Sequence, residues 1–245
     1  MREINTLSHP AAHGSIEALA LDPQRHWVCV GTSNGYVALW DTRFHVRLQT
    51  WRTSNHARIR ACALHPTRPH VLTVATSAVV SLDLGTGAVL ETFYSREFGE
   101  HVPNITLESC ADEAPSDTYW DGSYALCVGA DGYMSSPAES PRGWIVTGGS
   151  DRVVRFWDLG RADTCTAFGS QIHGEFTMTH HRYIHTFQCI EAPPKRSPLH
   201  IHQQVKDAMG TLTSHQDTIT ALAVIEAPYR CVVAGDRSGV LCVWE

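Results

Sequence analysis

Short runs in which apolar and polar residues alternate dominate this chain, and turn residues separate them. Alternation with a period of two predicts half-buried β-strands, whereas the Gly, Asn, Asp and Ser residues between the runs predict tight turns. Four of the runs end in a large apolar residue followed by an acidic one. These pairs are Trp40-Asp41, Leu82-Asp83, Trp157-Asp158 and Trp244-Glu245. No long apolar stripe with helical spacing accompanies them, so the pattern predicts an all-β chain.

The spacing of the four pairs indicates a repeat. Successive pairs lie 42, 75 and 87 positions apart. The first distance matches the roughly 40–45 residues of one blade of a WD-repeat propeller, and the longer two fit blades that carry an insertion. We therefore predict an all-β WD-repeat β-propeller of about four blades. Because propellers usually serve as docking platforms, this fold lowers the expectation of catalysis before any motif is considered.

The repeat divides residues 1–245 into four predicted blades and two loop insertions. The blades span about residues 13–43, 58–87, 123–160 and 215–245, and the insertions span residues 96–122 and 161–212. Within the second insertion, the stretch from Glu175 to Ile190 is rich in aromatic and β-branched residues and could supply an outer strand.

The N-terminal stretch from Glu3 to Ser8 predicts an outer strand that no inner strands precede. The last blade correspondingly stops at its third strand, so we expect the N-terminal strand to complete that blade. Four blades are the lower end of the usual range for propellers. The chain is therefore also consistent with the C-terminal part of a larger ring.

The charge balance argues against a nucleic-acid partner. The net charge is -6, and the 19 Lys and Arg residues are scattered rather than clustered. A protein that holds nucleic acid by neutralising phosphates needs a basic face, so no nucleic acid is expected. No apolar run approaches the ~20 residues of a membrane span, and the start lacks the pattern of a secretory leader. These features predict a cytoplasmic protein.

The eight cysteines predict neither a disulfide framework nor a zinc site, because no pair has the C-x-x-C spacing and most lie in apolar runs. A group of histidines could suggest a metal site, but they lie beside or within a Pro-rich insertion without the fixed ligand geometry that zinc requires. These are His180, His181, His185, His200 and His202. We expect no metal and no cofactor.

Ten residues are predicted to hold the blades together. In a WD-type blade, an Asp in the turn before the third strand can bond a Ser or Thr, a His and a Trp of the same unit, which satisfies polar groups that are costly to bury. We interpret these residues as scaffold and predict no catalytic residue. They are His13, Asn34, Trp40 and Asp41 in the first unit, Thr147, Asp151, Trp157 and Asp158 in the third, and His215 and Trp244 in the fourth.

The stretch from Gly31 to Gly35 matches the G-x-S-x-G pattern of a hydrolase nucleophile elbow. That elbow requires a helix directly after its serine, here Ser33. The residues that follow, from Tyr36 to Asp41, alternate as a strand, so a hairpin turn is favoured. A serine hydrolase that uses Ser33 remains the less favoured alternative.

Several segments resemble one family, the regulatory, protein-kinase-like subunit of the class III phosphatidylinositol 3-kinase complex (vacuolar protein sorting family). The segments are HWVCVGTSNGYVALWDTRF, ARIRACALHP, GSDRVVRFWDL and SHQDTITALAV with the terminal VWE. The resemblance covers nearly the whole chain and corresponds to the last four of seven blades. It does not include the kinase-like domain or the helical repeats of that family, so it implies a chain that is not an enzyme.

The resemblance implies a scaffold in autophagy and in endosomal or vacuolar sorting. The implied partners are the lipid kinase catalytic subunit and coiled-coil autophagy or sorting subunits. The implied location is cytoplasmic and peripheral to endosomal and autophagic membranes, with membrane association only through the complex. A WD-repeat substrate receptor or adaptor in an unrelated complex remains an alternative.

Four residues are candidates for partner binding. Arg58 and Arg60 flank the start of the second unit's first strand, a position that usually opens onto the narrow face of a propeller. A guanidinium there suits bidentate capture of a partner carboxylate. Arg43 and Phe44 follow the first Trp-Asp pair, where a generic propeller has no need of these side chains.

Overall fold

The computed structural model describes residues 5–53, 56–76, 78–94, 123–129, 143–160, 165–168, 175–180, 183–188, 215–225 and 231–244. Within these residues the chain forms a single short 3-10 turn, Ala11–His13, and seventeen strands. The strands are β1 Ile16–Asp22, β2 Trp27–Thr32, β3 Tyr36–Asp41, β4 Val46–Arg52, β5 Ala61–Leu64, β6 Val71–Ala75, β7 Val79–Asp83, β8 Val89–Tyr94, β9 Ser123–Gly129, β10 Trp144–Gly149, β11 Val154–Asp158, β12 Thr166–Phe168, β13 Glu175–His180, β14 Tyr183–Gln188, β15 Ile219–Ile225, β16 Cys231–Asp236 and β17 Leu241–Trp244.

These strands form four antiparallel sheets, which we number as blades 1 to 4. Blade 1 has the order β1-β2-β3-β4, blade 2 contains β5 to β8, blade 3 contains β9 to β12, and blade 4 contains β15 to β17. In each blade, strands that are consecutive in the sequence pair with each other in the sheet, in antiparallel orientation. The prediction of an all-β chain built from repeated small sheets is confirmed.

Two blades extend beyond the predicted units. Blade 1 continues with β4 after residue 43, and blade 2 continues with β8 after residue 87. The insertion over residues 161–212 supplies β12, the outer strand of blade 3, and also β13 and β14. Strand β13 pairs with β8, which widens the sheet of blade 2 to six strands. The insertion over residues 96–122 lies outside the described residues.

The described part of the N-terminal segment does not pair with blade 4, and Glu3 and Ile4 of the predicted strand lie outside the described residues. Its described residues, 5–8, form no strand, and Leu7 packs against an apolar cluster of Val30, Ala38 and Trp40 on blade 1. Among the described residues, blade 4 has three strands, with β17 at its edge. The described N-terminal residues are therefore held by the partial burial of Leu7 on blade 1 and not by strand pairing.

Successive blades pack face to face through the alternate residues of their strands. Two of the three interfaces share one contact, in which an isoleucine fills a space left by a glycine of the preceding blade. Ile59 packs on Gly31 between blades 1 and 2, and Ile219 packs on Gly148 between blades 3 and 4. Both isoleucines are fully buried. A Cβ atom at either glycine would clash with its isoleucine, so the glycine is needed for close approach of the blades.

Candidate functional site

Blade 3 brings together two of the predicted scaffold residues. The indole Nε1 of Trp157 donates a hydrogen bond of 2.9 Å to the hydroxyl of Thr147, and both side chains are buried. Asp151 lies in the turn before β11, but its carboxylate binds the guanidinium of Arg155 and accepts the N–H of Val153 at 3.3 Å. The buried hydrogen bond between Trp157 and Thr147 is therefore formed, whereas the carboxylate of Asp151 pairs with the neighbouring Arg155.

In blade 4, His215 meets an aspartate that sequence reasoning missed. The Nδ1 atom of His215 lies 3.3 Å from Oδ2 of Asp236, which also accepts the N–H of Gln216 at 2.9 Å. The other oxygen accepts the N–H of Val240 at 2.9 Å and the hydroxyl of Ser238 at 2.7 Å. Asp236 ends β16, eight positions before Trp244, whereas Asp151 lies six positions before Trp157. It therefore lies two positions earlier in the equivalent turn.

The hydrogen bonds around Asp236 set its charge state. Burial by itself raises the pKa of this carboxyl, but bonds from Ser238, Val240 and Gln216 outweigh burial and hold the pKa well below its usual range. The pKa of His215 is lowered because burial disfavours the imidazolium, although Asp236 opposes that effect. At neutral pH the pair is therefore a carboxylate and a neutral imidazole. The imidazole ring lies 5.4 Å from that of Trp244.

In blade 1, the predicted scaffold residues His13, Asn34 and Trp40 each contact different partners. The Asn34 amide donates to the carbonyl of Ala12 at 3.0 Å, and the ring of His13 stacks on Tyr36 with centroids 3.9 Å apart. Trp40 lies in the apolar cluster beneath Leu7. In this blade, stacking and apolar packing occupy the places of the predicted polar network.

The acidic residue of the Trp-Asp pairs caps the turn that follows it. Asp41 accepts the N–H of Arg43 at 2.8 Å, Asp83 that of Gly85 at 2.8 Å, and Asp158 that of Gly160 at 2.8 Å. An Asx turn of this kind satisfies backbone donors in the turn that leads to the outer strand. The acidic position of the repeat is therefore a structural cap in three blades.

Asp41 also binds the side chain of Arg43, a predicted partner-binding residue. The Nη2–Oδ2 distance is 2.6 Å, the Nε–Oδ1 distance is 3.2 Å, and the bond to Arg43 lowers the pKa of Asp41 to about 2. The guanidinium lies 5.2 Å from the ring centroid of Phe44. Arg43 is thus already paired and orients the ring beside it.

Phe44 is the first of three exposed apolar residues in the turn and strand that form the outer edge of blade 1. Its side chain is 69% exposed, and Val46 and Leu48 of the following strand are also exposed. We call these three residues the rim patch. Three exposed large apolar side chains at alternate positions along one turn and its strand form a surface suited to a protein partner.

Arg58 and Arg60 lie at the boundary between blades 1 and 2. The Nη1 atom of Arg58 is 3.4 Å from Oε1 of Glu17, and both side chains remain partly exposed. The backbone N–H of Arg60 donates to the carbonyl of Ala75 at 3.0 Å, which places it at the start of the sheet of blade 2. An exposed pair such as Arg58–Glu17 contributes little to stability, so it can exchange partners at low cost.

Ser33 lies in a hairpin turn between β2 and β3. Its hydroxyl oxygen accepts the N–H of Ser15 at 3.0 Å, and a strand rather than a helix follows it. The geometry that a nucleophile elbow requires is therefore lacking at this serine.

Within the described residues, no group of three His, Cys, Asp or Glu side chains could hold a metal ion. Of the histidines considered above, His181, His200 and His202 lie outside those residues. No helix in the described part of the chain is long and apolar enough to span a membrane.

His65 replaces an aspartate in one of the turns. In blade 1, Asp22 accepts the N–H of Gln24 at 3.0 Å and that of Arg25 at 3.1 Å. In blade 2, Nδ1 of His65 accepts the N–H of Thr67 at 3.3 Å and that of Arg68 at 3.2 Å. An Nδ1 that accepts two hydrogen bonds carries no proton, so the buried ring is neutral in the fold.

Acidification should destabilise the fold through His65. Burial is the main cause that lowers the pKa of His65 to about 4, opposed by Glu91 and aided by Arg68. Because the unfolded chain protonates this residue near pH 6.5, stability is lost as the pH falls from 6.5 through 4. We expect a loss of about 2 kcal/mol at pH 5 from this group.

Urea unfolding of the wild type and of His65→Asn at pH 7.5 and pH 5 measures this loss. Asparagine can still accept the two N–H bonds but does not titrate, so the variant should lose about 2 kcal/mol less between the two pH values. The same loss in both proteins would show that His65 does not carry the effect.

The fold and these turn networks define a WD40-repeat β-propeller chain. The family model described as "WD domain, G-beta repeat" matches residues 2–41 and 140–158. Among solved structures, the WD40 β-propeller domain of Doa1 superposes with a TM-score of 0.52 at 12% identity, over 94% of this chain and 51% of that chain.

Two relatives are similar to this chain over nearly its whole length. The chain is 21% identical to "Putative serine/threonine-protein kinase VPS15" of Komagataella pastoris, over 100% of its own length and 20% of the relative. It is 22% identical to "Serine/threonine-protein kinase VPS15" of Arabidopsis thaliana, over 98% of its length and 18% of the relative. The chain thus spans about a fifth of the length of these proteins. The resemblance to this family is confirmed as distant, whole-chain similarity to VPS15.

Proposed function

We propose that this chain is a non-catalytic protein-interaction scaffold that forms the propeller portion of a regulatory subunit of a class III phosphatidylinositol 3-kinase complex. Its role there would be in autophagy and in endosomal or vacuolar sorting. The observation that carries the proposal is the similarity to VPS15 in two organisms across the whole chain, including the segments that join the Trp-Asp repeats.

The partners in this proposal are the lipid kinase catalytic subunit and coiled-coil autophagy or sorting subunits. The chain is cytoplasmic and reaches endosomal and autophagic membranes only as part of the complex. Its contribution is the rigid display of side chains by sheets whose turns are capped by aspartates, which limits the entropy that binding must overcome.

The rim patch is the proposed contact surface. Phe44 offers a large aromatic side chain, the type that most often dominates the binding energy of an interface. Arg43, held by Asp41 and placed 5.2 Å from the ring, restricts the orientations of Phe44 before a partner arrives. Arg58, whose pairing with Glu17 is long and partly exposed, offers a second, polar contact on another face.

Affinity purification of the full chain from cells tests the proposal. We expect the class III lipid kinase and its coiled-coil subunits to co-purify with the wild type. Phe44→Ala should reduce their recovery by roughly 10-fold or more, as for a residue that dominates an interface. The matched control is Gln49→Ala, which changes another exposed residue of β4 and should not alter recovery.

Two results would contradict the proposal. A partner set made only of ubiquitin-ligase or chromatin subunits would favour the alternative of a WD-repeat receptor or adaptor in an unrelated complex. Equal recovery of the lipid kinase with Phe44→Ala and Gln49→Ala would show that the rim patch is not the contact surface.

A further inference from the structure

Blade 2 shows that the outer strand of a blade in this chain can pair with one further strand. Strand β13 runs antiparallel to β8, and Thr179 lies opposite Thr92. The pairing covers residues 91–94 of β8. The backbone groups that an outer strand leaves unpaired on its far side find their partners in this way.

Strand β4 of blade 1 has the same backbone irregularity as β8. The pairing of β7 with β8 skips Leu90, and the pairing of β3 with β4 skips Leu48, so each outer strand contains a β-bulge. The stretch of β8 that pairs with β13 begins directly after the bulge, and the equivalent stretch of β4 is residues 49–52. Among the described residues, no strand lies beyond β4 in the sheet of blade 1. Blade 1 thus repeats the backbone geometry to which blade 2 adds a strand.

The backbone of Thr50 points to the side of β4 that faces away from β3. In an antiparallel pair of strands, residues that exchange hydrogen bonds alternate with residues that do not. The N–H of Thr53 donates to the carbonyl of Gly35 at 2.9 Å. Counting back along the register, Trp51 bonds to β3 and Thr50 does not, so the N–H and C=O of Thr50 point outward. Thr50 is the equivalent of Thr92, which β13 meets in blade 2.

The side chains along β4 define the kind of segment that fits beside it. The stretch from Thr42 to Arg52 contains three arginines and no acidic residue. Arg43 is held by Asp41. Arg47 makes no ion pair with a described residue, and its guanidinium carbon lies 6.0 Å from the ring centroid of Trp40. Because the rim patch lies on the same turn and strand, a segment with acidic and apolar residues complements β4 in both charge and polarity.

We propose that a partner protein adds an extended segment to the outer edge of β4, antiparallel to it, as β13 is added to β8. The N–H and C=O of Thr50 bond to the backbone of this segment. Because the segment runs antiparallel, the residues that follow its paired stretch reach the rim patch, where apolar side chains cover Phe44 and Val46 and an acidic one meets Arg47. The inference rests on the proposed function, since it specifies how a partner subunit contacts the rim patch.

The charge of β4 disfavours a second copy of this chain as the occupant of the edge. Two β4 strands paired edge to edge would bring the arginines of both copies together, and like charges on neighbouring strands are destabilising. A segment from a different protein has no such restriction on its sequence.

Affinity purification with two variants at one position tests the proposal. Thr50→Pro removes the outward N–H and places a ring where the segment lies, so recovery of the lipid kinase and its coiled-coil subunits should fall by roughly 10-fold or more. Thr50→Val, the conservative variant, keeps the N–H and a β-branched side chain and should retain most of the recovery. Neither change removes a hydrogen bond to β3, and far-UV circular dichroism checks that both variants are folded.

Two further variants test the chemistry of the segment. Arg47→Glu reverses the charge that the acidic residue of the segment meets, so recovery should fall by roughly 10-fold. Gln49→Ala should again leave recovery unchanged, because the backbone groups of Gln49 bond to β3. Recovery with Arg47→Glu equal to that with Gln49→Ala would overturn the acidic character of the segment.

Hydrogen exchange of the wild type provides a check that needs no variant. The amide N–H of Thr50 should exchange rapidly in the isolated chain and roughly 100-fold or more slowly in the purified assembly. Slow exchange in the isolated chain would show that a second copy or another part of this chain already occupies the edge, and would overturn the proposal. Rapid exchange in the assembly would overturn it as well.

The purification separates failure of strand addition from failure of the proposed function. Equal recovery of the lipid kinase with Thr50→Pro and Thr50→Val would overturn strand addition and leave the proposed function intact. A wild-type chain that recovers no lipid kinase would contradict the proposed function, and strand addition by a subunit of that assembly would fall with it.

Discussion

Replacing Trp157 with alanine is expected to lower the free energy of unfolding by about 3–5 kcal/mol, the range for removing a large aromatic side chain from a core. Trp157 is almost fully buried and packs in the core that joins blades 2 and 3. Its ring meets that of Phe93 edge to face, with centroids 5.2 Å apart. The loss therefore includes the packing between two blades as well as the hydrogen bond to Thr147.

Urea unfolding followed by circular dichroism measures this loss, and two variants define its origin. Trp157→Phe keeps most of the apolar area and loses the bond to Thr147, so it should cost about 1–3 kcal/mol. Trp244→Ala removes the equivalent ring of blade 4, which is only partly buried, and should cost less than Trp157→Ala. A loss at Trp244 equal to that at Trp157 would show that burial between blades is not the cause.

The inner strands could be predicted from the sequence because their signals are local. Strand β1 alternates small buried residues such as Ala18 and Ala20 with larger ones, and a turn begins at Pro23. In β3 and β11 the alternation ends in the Trp-Asp pair. Strand β1 is buried on one side, which produces its alternation, whereas β3 and β11 are buried on both sides, so apolar residues dominate them. Turn residues mark the limits of all three strands.

The outer strands could not be predicted in the same way. Strand β4 is mostly exposed, so its residues need not alternate, and its sequence VRLQTWR resembles a polar loop. Strand β13 pairs with β8, a partner more than 80 positions earlier in the chain. The pairing of strands so far apart in the chain produces no sequence pattern near either strand from which it could be predicted. The predicted blades therefore end before the outer strands β4 and β8, and β12, β13 and β14 fall within a predicted insertion.

For a related reason, the sequence predicts the contacts of some scaffold residues and not those of others. The partners Thr147 and Trp157 face each other across two adjacent strands, so their spacing along the chain defines their contact. Leu7 covers the cluster around Trp40 although it precedes the first strand, and no spacing rule predicts that contact. The same holds for Asp236, whose partner His215 precedes the first strand of its blade by several residues.

Asp236→Ala is expected to lower the free energy of unfolding at pH 7 by about 3 kcal/mol, since the buried His215 and several partly buried backbone donors would lose their acceptor at once. The side chain of Asp236 is fully buried and accepts bonds from the backbone of Gln216, Ser238 and Val240. The first strand of blade 4 would thus lose its tie to the turn between β16 and β17.

The pH dependence of the variant provides an independent check. Because the pKa of Asp236 is held below its usual range in the fold, its contribution is present above the unfolded pKa and is lost as the pH falls below about 3.8. The difference in stability between wild type and Asp236→Ala should therefore be largest near neutral pH and should narrow in acid. The matched control is Asp217→Ala, whose exposed pair with Arg237 should contribute much less to stability than the network of Asp236. If Asp217→Ala destabilised the chain as much as Asp236→Ala, the buried network would not be what holds blade 4 together.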